Sequence, residues 1–204
     1  MYYLWTRLSS RHATPNLLPS IGAWLGRTPY KGTLLACWRA DIGPPGDVVL
    51  LHAYADLDGL NHDRDTVAQS PERYGLGDAL LGASTVAYRP FPFMDPVAAG
   101  EVGPFFEVRT YRLRVGAAPS VIETWRRSLP ARSELSKPLL VMVSTDGDGP
   151  SMVHVWPYRS LDERHRIRQR AIETGVWPPK GGSPDTIVTQ LSEIFLPAPF
   201  SPVR

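Results

Sequence analysis

Apolar and polar residues alternate along Phe106-Glu-Val-Arg-Thr-Tyr-Arg-Leu113, and a period of two predicts a strand. The same signal predicts strands over about 2–8, 33–39, 47–53 and 84–89 in the first half, and over about 105–113, 138–144, 151–156 and 186–196 in the second. Helical spacing falls between the first two strands of each half. Val121, Ile122, Trp125 and Leu129 form one apolar stripe. Proline at the first helical position opens these segments, as Thr14-Pro15 and as Ala118-Pro119-Ser120. Pro130 is expected to end or kink the second of them, and Pro19 to shorten the first. A further helix begins at Asp56 in one half and at Ser160 in the other, where Ser160-Leu-Asp-Glu163 reads as a capping box. The hairpin loops, Asp41–Gly46 and Asp146–Pro150, carry the Gly, Pro and Asp that turns require.

The order β-α-β-β-α-β therefore occurs twice. Direct sequence likeness supports a duplication. Tyr2, Leu4, Thr6 and Pro15 lie over Phe106, Val108, Thr110 and Pro119 at an offset of 104. At the same offset His52-Ala-Tyr54-Ala-Asp-Leu57-Asp58 lies over Trp156-Pro-Tyr158-Arg-Ser-Leu161-Asp162. At the ends, Arg89–Phe93 lies over Leu196–Phe200, with the offset drifted to 107. This order is the ferredoxin-like plait, which buries one sheet face under two helices and leaves the other to be covered. The expectation is an α+β chain of two tandem ferredoxin-like repeats, packed sheet to sheet as an intrachain α/β barrel. Residues 1–93 form the first, degenerate repeat, 94–104 the linker and 105–204 the second repeat.

Composition narrows the functional classes. A net charge of +2 is too small for a nucleic-acid surface, so no nucleic acid is expected as a partner. No run of about 18 apolar residues is present, and no basic-then-apolar leader precedes the first strand. The expected setting is cytoplasmic, with no membrane. The single cysteine, Cys37, sits in an apolar run and reads as a buried, inert thiol. Opposite charges on the second helices, Asp56, Asp58, Asp63 and Asp65 against Arg159, Arg164, Arg166, Arg168 and Arg170, suggest a salt-sensitive contact between copies of the chain.

Strand parity nominates a site. Val153, Val155 and Pro157 point one way, His154, Trp156 and Tyr158 the other; Val49, Leu51 and Ala53 oppose Leu50, His52 and Tyr54. With the aliphatic sets assigned to the helices, the inter-sheet space would hold His52, Tyr54, Glu107, Arg109, Tyr111, His154, Trp156 and Tyr158, together with Tyr3, Trp5 and Arg7. Tyrosine and tryptophan suit a flat organic ligand, Arg109 a carboxylate or enolate oxygen, and His154 or His52 the work of a base. The competing reading is structural: Glu107 and Arg109 simply pair, and the histidines hydrogen-bond to carbonyls. No local spacing supports a metal site; in Asn61-His62-Asp63-Arg64-Asp65, His62 and Asp65 are expected to face outward. There is no P-loop, dinucleotide fingerprint, nucleophile elbow or CxxC, and Gly181-Gly182 reads as a loop, so no cofactor is expected.

Three segments, Phe106–Leu113, Val153-His-Val-Trp-Pro-Tyr-Arg-Ser-Leu-Asp-Glu-Arg164 and Ile194-Phe-Leu-Pro-Ala-Pro-Phe200, resemble the NIPSNAP family of the dimeric α/β-barrel superfamily. The likeness covers the second repeat; in the first, Leu4-Trp5-Thr6 and Asp56-Leu57-Asp58-Gly59 depart from it. The resemblance implies a fold more than a reaction, since the family has no agreed catalytic residues. It is similar to small barrels that include quinone-forming monooxygenases. Its eukaryotic members are linked to mitochondria and to vesicle or autophagy adaptors, a role not carried over without a presequence. Three functions stay open: a barrel binding a small aromatic or carboxylate ligand or a protein partner, a cofactor-independent monooxygenase or isomerase acting on an aromatic or polyketide-like substrate, and an assembly module filled by side chains. A second copy of the chain is a further partner to consider.

Overall fold

The computed structural model describes residues 1–11, 14, 16–181 and 184–204. The first half runs β1 (Tyr2–Ser10), α1 (Leu17–Arg27), β2 (Thr33–Ile42), β3 (Asp47–Tyr54), α2 (Leu57–Ala68) and β4 (Leu80–Pro90). The second runs β5 (Phe105–Leu113), α3 (Ala118–Ser133), β6 (Leu140–Ser144), β7 (Ser151–Tyr158), α4 (Leu161–Glu173) and β8 (Ile187–Pro197). All eight strands close into one antiparallel barrel in the order β1-β3-β2-β8-β5-β7-β6-β4. Each half contributes four strands in plait order, and the halves join edge to edge through β2–β8 and β4–β6. The two sheets are thus one continuous wall, and the interior is what a sandwich would call its core.

Local chemistry explains the helix ends. Ser160 Oγ accepts from the Glu163 N–H at 3.0 Å, and Glu163 reaches back to the Arg159 N–H at 2.6 Å. Asp56 caps α2 through the Gly59 N–H. Pro119 opens α3 as expected. Pro130 does not end it; the helix continues to Ser133. Pro19 is harmless because it falls in the first turn of α1, where the N–H groups have no helical partner. The proposed opening at Pro15 lies outside the described residues, as does Gly182. Strand β4 begins at Leu80, four residues earlier than its alternation suggests.

The barrel is filled. Tyr3, Trp5, Trp38, Val49, Leu51, Phe106, Val108, Val153, Val155 and Phe195 form one buried cluster drawn from both halves. Trp38 and Phe106 stack across the β2–β5 approach at 4.4 Å. An eight-stranded barrel has room for side chains and little else. At one end Arg7 joins Asp47 at 2.5 Å and the buried Glu193 at 2.6 Å.

This filling corrects the face assignment. Val49, Leu51, Phe106, Val108, Val153 and Val155 point into the barrel, while Tyr111, Trp156 and Tyr158 pack outside it against α3 and its neighbours. The first strands explain part of the error. Tyr54 pairs with Tyr2, and its counterpart Tyr158 pairs with Phe105. The structural offset of β1 to β5 is therefore 103, one less than the sequence offset, and a one-residue slip exchanges the two faces. Tyr3 and Trp5 do face the interior; Glu107, Arg109 and Tyr111 do not share their side.

Cys37 is fully buried and its thiol is pushed up to about 12 by that burial. Among the described residues no helix is long and apolar enough to cross a membrane.

Candidate functional site between the second-half sheet and its helices

Six of the eight nominated residues come together. Glu107, Arg109 and Tyr111 on β5 stand beside His154, Trp156 and Tyr158 on β7, with Arg109 opposite His154 and Glu107 opposite Trp156. They occupy the outer face of the sheet, under α3 and α4. His52 and Tyr54 are not with them. His52 stacks on Tyr30 at 4.5 Å in the first half, and Tyr54 packs with Leu4, Leu60 and Ala87. Burial pushes His52 down to about 4, against the pull of Asp63. Arg7 sits at the end of the barrel interior. The two histidines thus belong to opposite halves.

The first half keeps the shape of this site and loses its chemistry. By strand register Leu4, Thr6 and Leu50 stand where Glu107, Arg109 and His154 stand in the second. A carboxylate, a guanidinium and an imidazole are replaced by two aliphatic groups and a hydroxyl, none of them titratable near neutral pH.

Glu107 organises the second-half site. Only 1% exposed, its Oε1 accepts from Arg164 Nη2 at 2.7 Å, Arg168 Nη1 at 3.3 Å and Ser192 Oγ at 3.0 Å. Burial pushes this carboxyl up, but the Arg164 hydrogen bond and the charges of Arg168, Arg164 and Arg109 outweigh it and hold it below the usual carboxylate range. The expected Glu107–Arg109 pair is not the main contact; the partners come from α4. Arg109 instead lies 5.4 Å over the Tyr111 ring, and its Nε is buried without a partner. Arg132 of α3 lies 4.2 Å over Trp156 and donates to the Ser136 carbonyl. Four guanidiniums therefore gather around one carboxylate.

His154 is not built as a base. Trp156 Nε1 donates to its Nδ1 at 2.6 Å, so the ring proton resides on Nε2. Complete burial, then the charges of Arg109, Arg168 and Arg132, drive its protonation well below the ordinary histidine range. It is a neutral donor, packed edge-on against Tyr111 and Trp125 at 4.9 and 4.8 Å.

Two spaces adjoin here. One is a narrow, partly open cavity of about 20 Å³ lined by Glu107, Arg109, Arg132, His154, Tyr158 and Trp177, among others. The other, about 270 Å³, is walled by Tyr111, Trp125, Trp177, Pro178, Thr124 and Gln190. Trp177 lines both. Sequence reasoning missed Arg132, Arg164, Arg168, Trp125 and Trp177. A signal was available for α4: Arg164, Arg168 and Ala171 recur at i, i+4, i+7, the spacing of an inward face. Of the five arginines of the second half, Arg164 and Arg168 turn to Glu107. Asp63 turns inward to accept from the Lys31 and Gly32 N–H groups at 2.9 Å, while His62 and Asp65 face out as expected. Asp56, Asp58, Asp65, Arg159, Arg166 and Arg170 remain exposed.

Fold and site define an intrachain antiparallel α/β barrel, with an arginine-rich chamber under the helices of one half. The NIPSNAP family profile matches residues 106–202, the half that holds this chamber. A Dictyostelium discoideum Protein NipSnap homolog is 24% identical over 83% of this chain and 76% of its own length. The human Protein NipSnap homolog 2 is 24% identical over 86% of this chain, which spans 63% of it. A crystal structure of Agrobacterium tumefaciens protein Atu4242 is 31% identical, with 49% of this chain and 99% of that one covered and a TM-score of 0.46. The chain belongs to the NIPSNAP family. Over 97% of its length it also matches, with a TM-score of 0.64 and 7% identity, 91% of a protein described as anthrone oxidase-like, a likeness of fold.

Proposed function

We propose that this NIPSNAP protein binds a small, flat organic acid in the second-half site, with residues 1–93 acting as the scaffold repeat and 105–204 as the binding repeat. The observation that carries this reading is the surplus of guanidinium charge around buried Glu107, next to an aromatic-walled space of about 270 Å³. That volume is close to the lower end of small-molecule sites, roughly 300 Å³. Tyr111, Trp125 and Trp177 offer ring faces to an aromatic body, and the arginines attract its acidic group. A second reading is a cofactor-independent monooxygenase or isomerase for an aromatic or polyketide-like substrate. The Nε2–H of His154 and the guanidinium of Arg109 are the kind of donors that stabilise an enolate oxygen. Binding is favoured because neither polar group is a good proton acceptor: the arginines lower the proton affinity of Glu107, and His154 Nδ1 already holds the Trp156 N–H.

Native mass spectrometry of the purified protein, set against its denatured mass, tests the reading. A reproducible excess of a few hundred daltons in the folded state, lost in Trp177→Ala, supports it. An excess that survives this substitution would place the ligand elsewhere. Turnover of an aromatic substrate that vanishes in both Arg109→Ala and His154→Ala, with the fold retained, would favour the enzyme.

A further inference from the structure

The narrow, partly open cavity of about 20 Å³ has room for a single water-sized occupant. Two of the side chains lining it carry buried nitrogens without a partner, His154 Nε2 and Arg109 Nε, and a third, Tyr158, has a buried hydroxyl beside Arg132. Each presents hydrogen. His154 Nδ1 is occupied by the Trp156 N–H, which leaves Nε2 protonated. A guanidinium nitrogen only donates. The Tyr158 hydroxyl faces Arg132, itself a pure donor, so its own proton is free to turn to the cavity. The lining holds three guanidiniums, Arg109, Arg132 and Arg168, against the single carboxylate of Glu107. Water has two lone pairs and no charge; an anion accepts from all three donors and offsets the surplus.

We propose that this cavity is a preformed hole for one anionic atom, a halide or the charged oxygen of a carboxylate or enolate. It rests on the second-half ligand site and refines it: the acidic oxygen of the organic ligand enters the hole while its ring remains in the aromatic space beyond Trp177. In the first half leucines and a threonine replace the equivalents of Glu107, Arg109 and His154.

Bromide is the probe. Crystals of the whole chain soaked in sodium bromide and measured at the bromine edge should show one ordered anomalous peak between His154, Tyr158 and Arg109; no peak there overturns the proposal. In solution, iodide should quench the neighbouring Trp156 in a saturable manner, and Tyr158→Phe should weaken this by roughly tenfold, as expected for one hydrogen bond to a charge. An unchanged iodide affinity in a Tyr158→Phe variant with wild-type thermal unfolding overturns it as well. Binding of 2-naphthoate is measured in parallel. Naphthoate bound with no bromide in the hole defeats the hole alone; neither bound defeats the ligand site with it.

Discussion

Glu107→Gln separates the charge of the site from its shape. The amide keeps the size of the carboxyl and one oxygen to accept from Arg164, but it leaves Arg109, Arg132, Arg164 and Arg168 without a counter-charge. Removing one member of a buried ion pair costs about 3–5 kcal/mol. The Arg164 and Arg168 side chains are 28% and 33% exposed and recover part of their hydration. The loss should then be about 2–3 kcal/mol. For a chain of this length, each kcal/mol moves the unfolding midpoint by roughly 2–4 °C, so a decrease of about 5–10 °C is expected at pH 7. The pH dependence supplies the control. The Glu107 carboxyl is held below its ordinary value of 4.5 in the folded state. Its stabilisation is fully present above the unfolded value and is lost as pH falls through the folded one. Wild type and variant should differ by a constant amount from pH 8 to 6 and converge below about 4.5. Calorimetric scans across that range provide the measurement. A difference under about 0.5 kcal/mol at pH 7, or one that persists undiminished at pH 3, would refute the idea that an ion pair holds α4 to the sheet.

Other consequences are more local. Arg7→Met should destabilise the chain by about 3 kcal/mol in chemical denaturation, because Glu193 is left charged and 2% exposed inside the barrel; a loss near zero would mean that the interior admits water. Nitrogen-15 NMR of His154 should show a neutral ring protonated at Nε2 throughout pH 5–8, since burial and three arginines oppose its charge; titration near pH 6.5 would contradict this. Cys37 should react with a thiol reagent at pH 8 only at the rate of global unfolding, given its burial and raised pKa; fast reaction in the native state would count against the packing of β2 described here.

The duplicated pattern made the barrel legible. Period-two strands, the Ser160 box and Pro119 each pointed to the observed elements, and the site residues of β5 and β7 were chosen by alternation alone. Alternation did not say which face was which. Both sides of β3 and β7 are buried, one by the barrel and one by helices, so hydrophobicity cannot label them. A polar set looked suited to a cavity inside the barrel. The structure places it under α4 instead, where long arginine side chains neutralise Glu107 while keeping contact with water. The partner that decides this, Arg164, is 57 residues from Glu107 in the chain, and no local pattern records such a pairing. The one-residue drop from 104 to 103 in β1 carried the remaining error, and it misled by aligning Tyr3 with Glu107 as though they shared a face.

The most direct test of the central claim is a calorimetric titration of the whole chain with 2-naphthoate and with its neutral analogue 2-acetylnaphthalene. The account predicts saturable binding of the acid, at least about tenfold weaker binding of the ketone, and loss of both in Trp177→Ala. Equal affinity for acid and ketone, or binding of the acid undisturbed by the Trp177 substitution, would contradict an arginine-lined aromatic site in the second half.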